Sequence, residues 1–520
     1  MVAIPALGAQ TAARLPNLTT PAGAGSAGGG QPPATGQARA AVALGQAARD
    51  SAVYTLAQLS PVSVWEHTTS DAVTSRMAGN AYAARLADRF DGLAGALLAR
   101  FKTDGGDFSQ SVVQLPAGSA ASSVKASRFH GEAGNQVALT IATRSGATVA
   151  LTLGSDDDRL AVQIAVTGGQ LSDAERSALA GLSDAFEQAV DGLTAVPPKL
   201  ALGDLLDYDS SVLASVNLHA TTVVGPNATR TIDFTASDAH RSVSVTGPDG
   251  NVKVDVDMKN AGILGSASQQ ASAVAQYLKQ FDEARQRGQG DAGLMGMFED
   301  AFSALHTHTD HAATAPHGIV FSAGDHGMMT GLADFSASVT QVTKASNPMR
   351  SDERDAFSYQ VSQQTQVGGT GQLDRSVRQH QESKLDASFH RSLFADTALM
   401  LSDSAYSQNY FYEQIHDTAS SDMELAYDQG QLARATLTQS ADQSRRVQRY
   451  ELGRLEQDTT TPSSHTRTTD VLALVKAAIS NHDARGRATS LQDALARQEE
   501  ILASMHDRVL LESQAARLAA

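Results

Sequence analysis

The stretch VALTIATRSGATVALTLGSDDDRLAVQIAV, residues 137–166, decides the fold class. Apolar residues alternate with small or polar ones in three runs, at Val137–Ile141, Val149–Leu153 and Leu160–Val166. Such alternation places the apolar side chains of each strand on one face. Ser145-Gly146 lies between the first two runs, and three aspartates lie between the last two, as turns require. The stretch therefore predicts an antiparallel meander with one buried face.

Helices and further strands follow this meander along the chain. Ser172 and Glu175 are spaced as a capping box, which predicts a helix that Pro197-Pro198 ends. Two alternating valine runs flank Gly247-Pro248-Asp249-Gly250, a turn sequence that predicts a hairpin. A second amphipathic helix is expected over about 266–287. Strands followed by a helix thus occur twice.

Helical periodicity also marks two other regions. Apolar residues three or four positions apart, from Leu86 to Phe101, predict one helix within 70–102. In the tail, Asp470 is expected to cap a helix, and a last helix is expected from Ser490 through Ala519. The tail pattern leaves open whether these helices pack on the chain's own body or pair with a partner helix.

Residues 330–465 alternate bulky side chains with Ser, Thr, Gln and charged ones. Phe357, Tyr359 and Val361 share one predicted face, as do Ala433, Ala435 and Leu437. The pattern predicts long antiparallel strands with one solvated face. A sheet face of this kind suits a protein partner or a polymer, and its edges need protection from other strands.

Together these patterns predict an α+β fold, with antiparallel sheets (meanders and hairpins) packed against amphipathic helices. The first 50 residues are rich in Ala, Gly, Pro, Thr and Gln, and cannot bury enough surface to offset ordering. The predicted segments are a disordered arm at 1–60, an α+β domain at 61–290 (one unit, or two at 61–195 and 196–290), a helix with a His-rich connector at 291–329, an antiparallel β region at 330–468 and C-terminal helices at 469–520.

The composition of the chain argues against several classes of function. The formal net charge of −16 argues against nucleic acid as the main partner, because phosphate binding needs a basic surface. The chain contains no cysteine, which excludes disulfides, thiol nucleophiles and cysteine-ligated zinc or iron–sulfur sites. The first residues lack the basic and apolar regions of a Sec signal, and no apolar run approaches about 18 residues. We therefore expect no transmembrane segment, and either a cytoplasmic location or export without a signal peptide.

One motif suggests metal chemistry. The stretch SALHTHTDHAATAPHG, residues 303–318, contains the spacing H-x-H-x-D-H. This spacing resembles the metal-binding signature of the metallo-β-lactamase superfamily of zinc hydrolases. The resemblance covers six residues and implies one metal bound by His306 and His308 and a second by Asp310 and His311. The nearest candidates for additional ligands are His317 and His326.

Two features of the sequence argue against that resemblance. The superfamily signature follows a buried strand. In this chain the residues before the motif have helical spacing instead, at Leu294, Phe298, Phe302 and Leu305. The later Gly-His-Thr-Pro-Gly histidine of that superfamily has no counterpart. A histidine at a helix C-terminus also has another explanation, since the helix dipole favours a cation there. We therefore interpret the motif first as a solvated polar turn, second as an incidental or structural metal site and third as a catalytic zinc site.

Other catalytic motifs are missing from the sequence. It has no G-x-S-x-G elbow, no P-loop and no H-E-x-x-H motif. We therefore assign no catalytic or cofactor-binding residue.

Three longer segments are similar to a group of large gammaproteobacterial proteins for which no activity is established. They are LSDAERSALAGLSDAFEQAVDGL (171–193), LDYDSSVLASVNL (206–218) and ELGRLEQDTTTPS (451–463). None is an active-site motif, so the resemblance implies a shared architecture and transfers no function.

Three hypotheses follow. The first is a non-enzymatic structural or interaction protein, bacterial and associated with the cell surface or flagellum, which binds a protein partner through the polar sheet or the C-terminal helices. The second is a zinc-dependent hydrolase that uses the H-x-H-x-D-H cluster. The third is a module that binds carbohydrate or a small apolar ligand on a concave sheet face lined by Tyr359, Tyr410 and Tyr412.

Overall fold

The computed structural model describes residues 62–116, 119–120, 129, 132–307, 318–394, 397–483 and 490–520. These residues all belong to one compact unit, Leu59–Ala520. The predicted disordered arm at 1–60 lies outside the described residues.

The described strands form one antiparallel sheet. In chain order they are β1 Val62–Trp65, β2 Phe108–Leu115, β3 Asn135–Thr143, β4 Thr148–Asp156, β5 Arg159–Thr167, β6 Leu213–Gly225, β7 Ala228–Ser237, β8 His240–Gly247, β9 Gly250–Asp257, β10 Asp334–Gln341, β11 Ala356–Gly368, β12 Ser376–Ser392, β13 Tyr410–Asp428, β14 Gln431–Glu451 and β15 Arg454–Asp470. The sheet has 15 strands in the order β1-β2-β5-β4-β3-β6-β7-β8-β9-β10-β11-β12-β13-β14-β15. From β6 to β15 each strand therefore pairs with the next one in the chain.

Helices pack against this sheet. They are α1 Ala72–Asn80, α2 Leu86–Phe90, α3 Leu93–Asp104, α4 Asp173–Gly181, α5 Ser183–Thr194, α6 Ala267–Gly288, α7 Ala292–Leu305, α8 Ala323–Gly327, α9 Val471–Asp483, α10 Leu491–Ala503, α11 His506–Val509 and α12 Ala515–Ala519. Among the described helices, none combines the length and apolarity that membrane crossing requires. The predicted α+β class, with antiparallel strands and amphipathic helices, is confirmed.

Alternation along the strands decides which face the helices cover. In β3 the residues Val137, Leu139 and Ile141 are fully buried, while the residues between them are partly exposed. The buried face continues across the sheet as one apolar core that includes side chains from α1 to α7 and from α12. We call the opposite face the open face. It carries many of the Ser, Thr, Gln and charged residues of the same strands, although some, such as Gln381 and Gln439, lie on the covered face.

An aromatic cluster fixes α6 and α7 on the centre of the sheet. Phe281 of α6 contacts Phe298 and Phe302 of α7, with ring centroids 4.7 and 5.1 Å apart. Tyr277 lies edge-on to Phe335 of β10 at 5.3 Å. Packed aromatic pairs of this kind contribute beyond the area they bury.

Three predicted helices are wrong in their continuity. The helix predicted between Ser172 and Pro197 is divided at Leu182 into α4 and α5. The helix predicted within 70–102 is three helices, because the chain leaves α2 at Asp91 and Gly92 adopts a positive φ of 66° before α3. The helix predicted from Ser490 to Ala519 is also interrupted, and residues 510–514 between α11 and α12 are not helical. Leu495, Leu502, Val509 and Ala516 recur every seven residues, and this spacing continues through the break without revealing it.

Buried side chains of the sheet hold this non-helical segment. Gln381, Ser421 and Gln439 are cross-strand neighbours on β12, β13 and β14. The Gln381 amide donates to the Val509 carbonyl at 2.8 Å and its oxygen accepts from the Leu511 amide at 3.1 Å. Ser421 donates to the same carbonyl at 3.0 Å. The C-terminal segment therefore packs on the chain's own body, and its backbone groups are satisfied by side chains instead of by a helix.

We predict that Gln381→Leu lowers the free energy of unfolding by about 2–3 kcal/mol, because it leaves the buried Leu511 amide without an acceptor and removes one of the two donors to the Val509 carbonyl. Denaturant unfolding measures this loss, and hydrogen exchange should show faster exchange in 506–514. Gln360→Leu is the matched control, since Gln360 is exposed on the open face. Equal effects of the two substitutions would contradict the assignment.

Candidate functional site

The structure describes His306 of the predicted metal cluster and also His326; His308, Asp310, His311 and His317 lie outside the described residues. His306 follows α7, as the sequence predicted, but it is buried instead of lying in a solvated turn. Its ring lies against Phe302 and Phe335, with centroids 4.2 and 5.2 Å away. The interpretation of His306 as a solvated residue is therefore wrong, because two aromatic rings cover it.

His306 has a defined hydrogen-bonding state. Its Nδ1 is 2.8 Å from the Phe302 carbonyl, so it carries the proton and donates. Burial lowers the pKa of His306 to about 4, which keeps the imidazole neutral. Its Nε2 is buried and has no hydrogen-bond partner among the described residues. A neutral imidazole with one nitrogen bound to a carbonyl and the other free is the form that ligates zinc.

The described residues supply no other ligands for such a metal. No group of three His, Asp or Glu side chains within them could hold an ion. His326 lies in α8, with its ring 5.9 Å from that of Phe321. Burial lowers the pKa of His326 as well. His306 therefore fits a zinc ligand by its protonation state, but the described residues do not complete a metal site around it.

A second histidine lies in a buried charge cluster that the sequence did not reveal. His390 of β12 lies between two carboxylates, with Nε2 3.0 Å from Glu353 and Nδ1 2.7 Å from Asp355. The Tyr410 hydroxyl donates to Glu353 at 2.7 Å, and Asn347 donates to that hydroxyl at 2.9 Å. The cluster fixes the loop before β11 over one end of the open face.

The carboxylates and the histidine shift one another's pKa. Burial alone would lower the pKa of His390, but the hydrogen bonds and charges of Asp355 and Glu353 outweigh burial and raise it to about 9. Burial likewise opposes ionisation of both carboxylates, yet their bonds to His390 lower the pKa of each. His390 is therefore charged at neutral pH. Both ring nitrogens of His390 are hydrogen-bonded to carboxylates. The histidine therefore holds the loop in place and has no free nitrogen with which to act as a general base.

The tyrosines predicted to line one sheet face do not share a face. The cross-strand row of Tyr359 runs through Leu385 to Asp417 of β13. Tyr410 and Tyr412 lie an odd number of residues from Asp417 along that strand, so they point to the opposite side. Tyr359 packs among helices, whereas the other two contact the His390 cluster. The predicted aromatic binding face is therefore wrong.

The open face itself is a row of small polar side chains. One cross-strand row, traced through successive pairs, consists of Ser242, Asp255, Ser336, Ser362, Glu382, Ser420, Ser440 and Thr466. The serines create a shallow trough of about 530 Å³ between longer side chains such as Lys253 and Lys384. Ser420 and Ser440 are joined by a hydrogen bond of 2.9 Å.

Charged pairs cross the same face. His219 and Asp233 are 2.7 Å apart, and His380 and Asp422 are 2.9 Å apart. Asp386 accepts from both His416 and Lys384, at 2.8 and 2.7 Å. Exposed ion pairs of this type contribute about 0–1 kcal/mol each. A partner can therefore replace these contacts with its own at little cost.

The helix-covered side contains a cavity of about 520 Å³ at the C-terminal end of α6. Helix α6 ends at Gly288, where a Cβ would come within 2.9 Å of Phe357 and Ala387. Beyond that point β12–β14 continue without α6 above them. The cavity floor includes Leu385, Phe389 and Ile415. Charged side chains, glutamines and residues of the C-terminal segment form its walls.

No protein-family model matches the chain, and no curated protein or solved structure is significantly similar to it. Function therefore has to be inferred from the chain's own residues.

We predict that His390→Gln destabilises the protein by up to about 3–5 kcal/mol near pH 6, because it removes the cation between the buried Glu353 and the partly buried Asp355 and leaves only Arg350, 3.8 Å from Glu353. The raised histidine pKa stabilises the fold fully below its ordinary value of about 6.5. That stabilisation is lost as pH rises through about 9. The difference between wild type and variant should therefore shrink between pH 6.5 and pH 9.5 or so.

Chemical unfolding across this pH range measures the difference, and an NMR titration of the His390 ring measures its pKa. His67→Gln serves as the control, since His67 is exposed. A difference that stays constant with pH would mean that His390 acts by packing alone.

Proposed function

We propose that the chain is a non-enzymatic interaction or structural protein, and that its open face binds a protein partner. The observation that supports this proposal most directly is the row of small polar and charged side chains that runs without interruption from Ser242 to Thr466. Helices shield the other face of the same strands. A surface this broad and polar suits recognition by many weak contacts.

The chemistry of the row favours a polar partner surface over an apolar ligand. The side chains that line the trough are mostly polar, namely serines, Gln360, Thr418, Glu382 and two lysines, with Ala337, Val361 and Ala419 as its apolar residues. The two acidic residues of the row, Asp255 and Glu382, each have a lysine two residues away on the same strand, Lys253 and Lys384, which supports orientation of a partner more than strong non-specific attraction. The setting that we propose is the bacterial cell surface or flagellum, reached without a Sec signal. The cysteine-free and aromatic-poor composition supports that setting.

We predict that a photo-crosslinking amino acid at Ser440 forms a discrete adduct with a partner protein in the natural host. The same amino acid at Ser177, exposed on α4, should form none. Mass spectrometry of the purified adduct identifies the partner. Cell fractionation should place the protein in the envelope or secreted pool. An adduct from both positions, or from neither, would count against the open face as the binding surface.

The double substitution Ser420→Arg with Ser440→Arg should abolish that adduct, because two long cations fill the trough. Ala174→Arg with Ser177→Arg on α4 adds the same charge to the helical layer and is the matched control. Circular dichroism checks that both variants remain folded.

The zinc-hydrolase hypothesis retains one supporting observation, the neutral His306 ring with its unpartnered Nε2. Zinc there would act as a Lewis acid on a bound water. Elemental mass spectrometry of the dialysed full chain tests it. If the site is catalytic, we expect near-stoichiometric zinc in the wild-type protein. The zinc should be lost in His308→Ala and kept in His67→Ala. His308 is the better target because His306 is packed in the core. Zinc-free wild-type protein would remove this hypothesis.

A further inference from the structure

The cavity at the end of α6 contains an uneven set of charges. Arg391 of β12 donates to one oxygen of Glu413 at 2.9 Å, and Arg445 of β14 donates to the other at 2.6 Å. The Glu413 side chain is 2% exposed, so it is enclosed by these two cations. Two guanidinium groups therefore share one carboxylate.

The remaining charges around the cavity pair among themselves, away from Arg391 and Arg445. Arg287 of α6 pairs with Asp417 of β13, which also accepts from the Ser444 amide at 3.2 Å. Glu283 is neutralised by Arg517 at 2.6 Å. Arg517 also lies 3.6 Å from Glu512, so the surplus positive charge is confined to the end of the cavity where Arg391 and Arg445 share Glu413. The Arg391 and Arg445 side chains are 50% and 48% exposed, so their remaining N–H groups can reach a ligand.

A buried hydroxyl lies at the other end of the same cavity. The Tyr359 side chain lines the cavity and is 3% exposed, and its hydroxyl has no hydrogen-bond partner among the described residues. Ser383 lies on the same wall and is close enough to lower the pKa of this hydroxyl, but burial has the larger effect. Burial raises the pKa of Tyr359, so the hydroxyl keeps its proton and can donate. A buried donor without an acceptor is costly, which points to a missing partner.

The register gives the distance between these two ends. Tyr359 shares a cross-strand row with Asp417, and Glu413 lies four residues farther along β13. With standard strand spacings, the Cα atoms of Tyr359 and Glu413 are roughly 16 Å apart. Leu385, Phe389 and Ile415 lie between these positions on the floor. The order along the cavity is therefore hydroxyl donor, apolar floor and cationic end.

We propose that this cavity binds an elongated organic carboxylate with an apolar body and a hydroxyl or carbonyl group at its far end. The carboxylate binds the free N–H groups of Arg391 and Arg445, the apolar body covers Leu385, Phe389 and Ile415, and the far oxygen accepts from Tyr359. The cavity volume of about 520 Å³ is in the range of small-molecule sites. This inference does not depend on the open face binding a protein.

Calorimetric titration of the full chain with three probes tests the proposal. The probes are ω-hydroxyoctanoate, octanoate and octanamide, which differ in the far oxygen and in the charged end. We expect ω-hydroxyoctanoate to bind more tightly than octanoate, and octanamide to bind at least about tenfold more weakly than octanoate, because a charge-assisted bond is lost. Equal affinity for octanoate and octanamide, or no binding of either carboxylate at millimolar concentration, would overturn the proposal.

Variants assign the two ends separately. Tyr359→Phe should weaken ω-hydroxyoctanoate about three- to tenfold and leave octanoate unchanged, because the bond lost is a single neutral one. Arg445→Gln and Arg391→Gln should each weaken both carboxylates. Arg434→Gln is the matched control, since Arg434 lies on the same strand β14 and pairs with Glu424 on the open face. Identical binding by Arg445→Gln, Arg391→Gln and Arg434→Gln would place the carboxylate elsewhere.

Discussion

The structure depends on one constraint, the in-register antiparallel pairing of its strands from β1 to β15. Because the strands pair in register, cross-strand neighbours point to the same face of the sheet. The burial of Val137 on one face therefore determines which side chains are buried on the other strands. One face must then be covered along its whole width. The helices meet this requirement, and they follow the strands in the chain because each group of strands exposes a new apolar strip. The open face results from the same constraint and needs no cover.

Segments that are not helices or strands are held by buried polar side chains. Asp325 of α8 is fully buried and accepts from Arg375 at 2.9 Å and from the Tyr427 hydroxyl at 2.8 Å. The guanidinium of Arg375 also lies 3.6 Å from the centre of the Tyr427 ring. His390 holds the loop before β11 by the same principle, and Gln381 holds the C-terminal segment. Each buried polar group is satisfied only when its segment is in place, which gives these segments a single position.

Local sequence predicted the parts of the fold that depend on local chemistry. The alternation at residues 137–166, the capping box at Ser172 and the turn at Gly247–Gly250 each produced the expected element. The predictions that failed concern contacts between residues that are distant in sequence. The seven-residue spacing in the tail cannot show that Gln381 and Gln439 take the backbone bonds of 508–511. Similarly, the burial of His306 depends on Phe335, which is distant in sequence from it.

The candidate functional sites were also only partly predictable from local sequence. A histidine motif can be read directly, but the buried charge cluster at His390 joins residues from β12, β13 and the loop before β11. The alternating arginines of β14 were visible in the sequence as a polar strand. Their pairing with Glu413 required the register of β13 against β14, which no local pattern gives. Chemistry built across strands is therefore predictable only once the register is known.

The two edge strands of the sheet determine whether a partner can bind by adding a strand of its own. Strand β15 is 17 residues long and mostly exposed, so its outer backbone groups could pair with another strand. Pro462 lies near its middle and lacks an N–H, and charged residues such as Glu456, Asp458 and Arg467 occur on either side. Proline and charge at an edge oppose the addition of a strand. At the other edge, β1 has four residues and offers little backbone to pair with. With both edges unfavourable for strand addition, side-chain recognition on the open face is the mode of binding that this sheet best accommodates.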